Sequence, residues 1–128
     1  MTIEELQVGD TVTGIYKTGK YIGEITAIRP QHYLVKVKAV LKHPMQGDLH
    51  HPKEAEVPFF HERKALAHHE QTNIPKAMVK KYNGEIIPYE QSLRDALTTL
   101  TNELSTQQTL WAERSLENVR TLEKEYFK

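Results

Sequence analysis

The sequence predicts an α+β protein: a small antiparallel β-barrel of the SH3-like kind, followed by a helical segment that ends in an αα-hairpin. Up to about residue 70, short runs of β-branched and aromatic residues alternate with turn-forming residues. After Pro88, apolar residues instead recur at helical spacing. Glycines also interrupt two of the predicted strands, as in small sheets that curl. We therefore expect a barrel-like domain over residues 1–70 and a helical segment over residues 71–128 packed on it.

The first two strands are predicted to form a hairpin. Thr11 to Tyr16 is rich in β-branched and aromatic residues, which suit a pleated strand. Residues 17–20 have the composition of a tight turn, in which Gly19 is expected to take a positive φ. Tyr21 to Ile28 then repeats the strand pattern and supplies the second arm of the hairpin.

The third strand has the clearest alternation in the chain. Between Tyr33 and Leu41, apolar residues alternate with Lys36 and Lys38, which predicts one buried and one solvated face. Within the first two strands, Gly14 and Gly23 predict bulges or sharp bends. Such bends allow a short sheet to close on itself.

A long loop is predicted to follow the third strand. Residues 42–56 show no periodicity and contain two prolines and a Gly-Asp pair. Loops of this length are often functional. Residues 57–60 are expected to return the chain to the sheet. Residues 63–69 favour a last short strand, with a helix as the alternative.

Three helices are predicted in the C-terminal part. Pro75 occupies the favoured first position of a short helix over residues 76–82, and Asn83-Gly84 is expected to close it. Two longer amphipathic helices follow, joined near residues 105–109 into a hairpin. Their apolar stripes consist of Tyr89, Leu93, Leu97, Leu100 and Leu104, and of Ala112, Leu116, Val119, Leu122 and Tyr126. Each apolar stripe must be buried against another surface. That surface belongs to the rest of the chain, to a partner protein or to a second copy of the chain.

Composition narrows the classes of function. The 128 residues contain no cysteine, which excludes disulfides, thiolate metal sites, cysteine nucleophiles and lipid attachment to cysteine. Formal net charge is zero, which argues against a general polyanion binder. Residues 1–84 hold 12 basic and 9 acidic side chains, whereas residues 85–128 hold 5 and 8. Acidic residues near Met1 and the short apolar runs predict a cytoplasmic protein.

Catalytic and metal-binding signals are weak. The chain has no nucleophile elbow, and the Gly-x4-Gly-Lys run at residues 14–20 is followed by Tyr and lies in a hairpin, unlike a P-loop. Histidines gather in and after the long loop without the spacing of a strong metal site. They are His43, His50, His51, His61, His68 and His69. We therefore expect no catalytic residues, no metal and no cofactor.

Nucleic-acid binding is the alternative function that the residues leave open. Small barrels recur in proteins that stack bases on aromatic side chains beside lysines. The residues that could do so are Tyr16, Tyr21, His32 and Tyr33, with Lys17, Lys36 and Lys38. Because net charge is zero, we interpret these lysines as a solvated face and expect no nucleic-acid partner.

Protein recognition suits the long loop and the residues after it. Phe59 and Phe60 would point to opposite faces of a strand, so one must be covered by the helices or by a partner. The candidate docking residues are Lys42, His43, Gln46, Asp48, His50, Phe60, His61, Glu62 and Arg63.

Several continuous segments of the chain resemble the kinase-associated protein B family. They are residues 13–24, 40–50, 57–63, 70–75 and 112–116. The resemblance implies a non-enzymatic protein of spore-forming Gram-positive bacteria, with an N-terminal barrel-like domain and C-terminal helices. It also implies a sensor histidine kinase as partner, namely the membrane kinase B that feeds the sporulation phosphorelay.

The resemblance identifies neither the functional residues of this chain nor the way in which it contacts a membrane. It carries no established functional residues to this chain. Some family members bear the name lipoprotein, but this sequence has no cysteine for a lipid. Membrane contact is therefore expected only through the kinase, and a homodimer remains an alternative.

Overall fold

The computed structural model describes residues 5–48, 52–57 and 60–128. Its strands are β1 (Thr11–Tyr16), β2 (Gly19–Ile28), β3 (His32–Lys42), β4 (Gln71–Pro75) and β5 (Val79–Lys81). A 3₁₀ turn at Lys76–Met78 joins the last two strands, and the helices are α1 (Tyr89–Ser105) and α2 (Leu110–Tyr126). The predicted α+β class is confirmed, as are the first three strands and both long helices.

The five strands form one antiparallel sheet in the order β4-β3-β2-β1-β5. Among the described residues, β4 and β5 are the two edges and do not pair with each other. The 3₁₀ turn brings the chain from one edge to the other, but the sheet is not closed. The predicted SH3-like barrel is therefore not confirmed.

The two strand glycines have different roles. Gly23 lies at a register shift between β2 and β3, which confirms the predicted bulge. Gly14 pairs in regular register with both neighbouring strands. A Cβ atom at Gly14 would lie 2.7 Å from Cδ1 of Ile74, which is fully buried. Gly14 thus permits close packing of Ile74, and of the bulge or sharp bend predicted there, the bulge is wrong because the register is regular.

The hairpin turn between β1 and β2 differs from the prediction. Lys17 takes the positive φ, at 55°, while Gly19 begins β2. A Cβ atom at Gly19 would lie 2.5 Å from the hydroxyl oxygen of Tyr21. Gly19 is therefore needed for space beside Tyr21 and not for its φ.

The short helix predicted over residues 76–82 is present only as the 3₁₀ turn at Lys76–Met78, which begins directly after Pro75 and is flanked by β4 and β5. Pro75 is the last residue of β4, which pairs with β3, and β5 pairs with β1. No helix ends at Gly84 in the described part of the chain. The local preference for a helix is overridden because β1 and β3, from distant parts of the chain, provide backbone hydrogen-bonding partners for these residues. Both strands lie beyond residue 70, so the sheet extends into the part expected to be helical, and the division into two domains stays a prediction.

Between β3 and β4, the described residues contain no strand. The strands predicted at residues 57–60 and 63–69 are thus wrong where residues are described. Pro58 and Phe59 lie outside the described residues, as do residues 49–51. The predicted irregular loop after β3 is confirmed for residues 43–48 and 52–56.

The helices pack as the predicted αα-hairpin. Helix α1 lies against β3, and α2 lies against α1. Six of the ten stripe residues are less than 5% exposed, namely Leu93, Leu97, Leu104, Ala112, Val119 and Leu122. The side chain of Thr109 caps α2 by accepting a hydrogen bond from the Ala112 amide at 3.1 Å. No helix in the described ranges is long and apolar enough to cross a membrane.

Candidate docking surface

Gln46 ties the long loop to the segment that comes after it. Its Nε2 donates to the carbonyl oxygen of Arg63 at 2.9 Å, and its Oε1 accepts from the Arg63 amide at 2.8 Å. The Trp111 indole on α2 donates to the Gln46 carbonyl oxygen at 3.4 Å. Gln46 is 4% exposed. Its side-chain amide therefore pairs with both backbone groups of Arg63, as the backbone of a neighbouring strand would. Gln46 fixes the position of the loop and is not itself exposed to a partner.

His43 is also built into the interior. It is 1% exposed, with Nδ1 2.9 Å from the Pro44 carbonyl oxygen and Nε2 3.1 Å from the Tyr126 hydroxyl. Since a carbonyl only accepts, Nδ1 carries the proton and Nε2 accepts from Tyr126. Burial lowers the pKa of His43, which favours the neutral ring. The docking role predicted for His43 and Gln46 does not fit their burial.

Three tyrosine hydroxyls hold the segment before β4. The Tyr126 hydroxyl accepts from the Ala65 amide at 2.9 Å, and the Tyr21 hydroxyl accepts from the Leu66 amide at 3.2 Å. The Tyr89 hydroxyl donates to the Leu66 carbonyl oxygen at 2.5 Å. Burial raises the pKa of Tyr21 to about 12 and raises the pKa values of Tyr89 and Tyr126. These bonds satisfy the backbone without a strand ladder, which explains why the predicted strand is absent.

Phe60 is covered by helix α2. The Arg114 guanidinium carbon lies 4.3 Å from the centre of the Phe60 ring, a cation–π contact. Arg114 also donates to the Ala55 carbonyl oxygen. One arginine thus holds both the loop and Phe60 against the helix. Phe60 is half-buried and packs against the helical core, which favours coverage by the chain itself.

The remaining candidate residues divide by exposure. Lys42, His61 and Glu62 are exposed, and Asp48 is half-buried. Arg63 is half-buried, and its Nε donates to the Gly47 carbonyl oxygen at 3.1 Å. His50 lies outside the described residues. The exposed part of the predicted set therefore lies at the end of β3 and in the segment before β4.

Two shallow cavities flank the β1–β2 turn beside these residues. Their volumes are about 300 Å³ and about 240 Å³, and Lys17 and Thr18 line both. The Thr18 hydroxyl accepts from the Met45 amide at 2.8 Å, which fastens the turn to the long loop. The larger cavity is bordered by Glu62, Arg63 and Lys64, and the smaller by Met45, Asp48, Pro52 and Lys53. Charges of both signs around open, shallow cavities suit a protein contact better than an enclosed small molecule.

Other chemistries find little geometric support within residues 5–48, 52–57 and 60–128. No three His, Asp or Glu side chains there converge on a common metal position. Tyr21 and Tyr33 are 1% and 8% exposed, so neither ring is available to stack a base. Lys36 faces Glu24 across the β2–β3 ladder. The aromatic and basic residues that could have bound nucleic acid thus do not form a single exposed surface on which bases could stack.

The pattern in the sequence does not reveal two features of this surface. The spacing of Tyr126 places it in an apolar stripe, but it does not show that its hydroxyl bonds His43 and Ala65. Two apolar side chains of the sheet are also exposed, Ile15 on β1 to 42% and Leu41 on β3 to 43%. Alternation predicts which residues share a face of a strand, but not whether another element covers that face.

Comparison with known proteins places the chain and its fold in a family. The family model described as "Kinase associated protein B" matches residues 16–127. The chain is 65% identical over 121 residues to "Kinase-associated lipoprotein B" of Bacillus subtilis (strain 168), covering 94% of each chain. The crystal structure of kinase-associated protein B from Bacillus cereus matches with a TM-score of 0.82 and 52% identity, covering 95% of this chain and 98% of that one.

Proposed function

Because this chain belongs to the kinase-associated protein B family, we propose that it is an accessory protein that binds and activates a sensor histidine kinase feeding the sporulation phosphorelay. Family membership over most of the chain is the observation that carries this proposal. The protein acts by binding and has no catalytic activity of its own. It works in the cytoplasm and reaches the membrane only through the kinase. The curled sheet behaves as the rigid SH3-like scaffold of this binding protein.

The geometry of the candidate docking surface supports a binding role. The most buried polar side chains there, His43 and Gln46, bond to other groups of the chain. Through these hydrogen bonds the two side chains hold the loop in place. A pre-formed loop on a rigid sheet loses little conformational entropy when a partner binds.

Activation results from binding only if affinity differs between two states of the kinase. A protein that binds the active state more tightly shifts the equilibrium toward it. A difference of about 1.4 kcal/mol in binding free energy changes the equilibrium about tenfold. Equal affinity for both states would leave the kinase unchanged, however tight the complex.

The test combines binding and kinase activity. The cytoplasmic portion of each sporulation sensor kinase of the same organism is purified and titrated with the full chain. We expect one of them to bind, and its autophosphorylation rate with ATP to rise as the complex forms. A second assay with the chain and ATP alone is expected to show no turnover. Binding to none of the kinases, or turnover by the chain itself, would contradict the proposal.

A further inference from the structure

An unfavourable charge pair lies at the exposed end of the β2–β3 ladder. Lys20 and Lys42 are partners there, next to a register shift between Lys20 and Tyr21, and both are exposed. Like charges in this position destabilise a sheet. Among the described residues, the salt bridges are formed by other side chains, so no carboxylate neutralises either ammonium. A pair that costs stability without a local benefit indicates a functional use.

Exposed apolar side chains border this pair. Ile15 is directly opposite Lys20 on β1, and Leu41 precedes Lys42 on β3. Met78 ends the 3₁₀ turn and directly precedes Val79, the β5 partner of Gly14, which is the neighbour of Ile15 in β1. Ile15, Leu41 and Met78 are 42%, 43% and 46% exposed. We call these five residues the basic row: Ile15, Lys20, Leu41, Lys42 and Met78.

We propose that the basic row docks an acidic segment of the partner kinase that carries apolar side chains between its carboxylates. This inference rests on the proposed function and assigns its binding surface. Lys20 and Lys42 are cross-strand partners, so two partner carboxylates bound to them would remove the repulsion between their charges. The apolar residues on both sides supply area that is buried on contact. Ile15 and Leu41 lie in strands and Met78 ends the 3₁₀ turn, and such a flat arrangement suits a protein surface better than insertion into a bilayer.

The row differs from most of the candidate docking residues and shares only Lys42 with them. Those residues lie along the loop, where internal hydrogen bonds already use His43, Gln46 and Arg63. Within the described ranges, the side chains of Lys20 and Lys42 make no hydrogen bond or salt bridge. The same substitution can therefore improve the fold and impair the function, a combination that separates a binding residue from a structural one.

The test is the charge reversal Lys20→Glu, alone and with Lys42→Glu. Lys20→Glu places a carboxylate opposite Lys42, so the melting temperature is expected to stay the same or rise. Affinity for the purified kinase portion is expected to fall about tenfold, equivalent to about 1.4 kcal/mol. The double variant should bind more weakly still, and Lys20→Arg should retain binding. Arg120→Glu is the matched control, because it makes the same charge change at an exposed site on α2.

The outcomes separate this inference from the proposed function. Binding of wild type to no kinase overturns both. If the wild type binds a kinase, and Lys20→Glu, the double variant and Arg120→Glu bind that kinase with the same affinity, the basic row is not the binding surface. The proposed function then still stands. Two further assays use phosphatidylglycerol vesicles and sedimentation of the free chain. If the reversals abolish vesicle binding or self-association and leave kinase binding intact, the row serves a membrane or a second copy and the inference is wrong.

Discussion

Replacing Tyr126 by Phe tests whether the tyrosine hydroxyls hold the segment before β4. The substitution removes one oxygen and keeps the ring that packs on the helical core. That oxygen is bonded to His43 Nε2 at 3.1 Å and to the Ala65 amide at 2.9 Å. Both groups are then left without this partner, and His43 and Ala65 are 1% and 9% exposed.

The expected cost is the sum of two unsatisfied groups. A buried polar group that loses its partner costs about 1–3 kcal/mol. Since Ala65 is near the surface and water replaces part of its bond, we expect the free energy of unfolding to fall by about 2–4 kcal/mol. For a domain of this size the melting temperature then falls by about 8–15 °C.

The assay is denaturant unfolding at pH 7, supported by calorimetry, with Tyr82→Phe as the matched control. The Tyr82 hydroxyl donates to the Glu85 carbonyl oxygen at 2.7 Å at the exposed surface, where water replaces it. Its removal should change the unfolding free energy by less than about 0.5 kcal/mol. If both variants lose the same stability, or neither loses any, the hydroxyl bonds of Tyr126 do not hold the segment.

Three further predictions concern His43, Gln46 and Gly14. Burial holds the pKa of His43 below its ordinary value of 6.5, so the unfolded chain binds a proton that the folded chain does not, and stability falls as pH drops below about 6.5. His43→Gln should flatten this part of the pH profile of unfolding free energy, and an unchanged slope would show that His43 is not the group responsible. Gln46→Leu should cost about 2–4 kcal/mol in denaturant unfolding because two bonds to the Arg63 backbone are lost; a stable variant would mean that the loop has other anchors. Gly14→Ala should cost about 1–3 kcal/mol through the clash with Ile74, and relief by a second change, Ile74→Val, is the check on that cause.

The elements that the sequence predicts correctly are those with repeated local patterns. Strand β3 alternates from His32 to Ala39, and α1 and α2 each bury a stripe that recurs at helical spacing. Strands β4 and β5 are short, and their pairing partners lie far away in the chain. Pro75 predicts the start of a helix, but a single 3₁₀ turn follows it before the next residues pair with β1 as strand β5. Short strands of this kind need non-local information that a single sequence does not supply.

The docking surface is predictable only in part for a similar reason. Composition indicates a long loop, and the resemblance indicates a kinase partner, but neither distinguishes a residue that holds the loop from one that is open to a partner. His43 and Lys42 are neighbours in the chain, yet one is 1% exposed and bonded to Tyr126 while the other is exposed. Burial of this kind depends on α2, whose last turn carries Tyr126, 83 positions further along the chain.

This distinction governs how mutations of the surface should be interpreted. We expect substitutions at His43 or Gln46 to weaken the proposed kinase binding indirectly, because the loop loses its anchors and the folded state loses stability. Substitutions at Lys20 or Lys42 are expected to act on the proposed contact itself and to leave the anchors in place. Loss of binding therefore identifies a contact only when the unfolding free energy of the same variant is unchanged or higher. Lys20→Glu is expected to meet this condition, because the repulsion it removes is present in the free protein and absent from the variant.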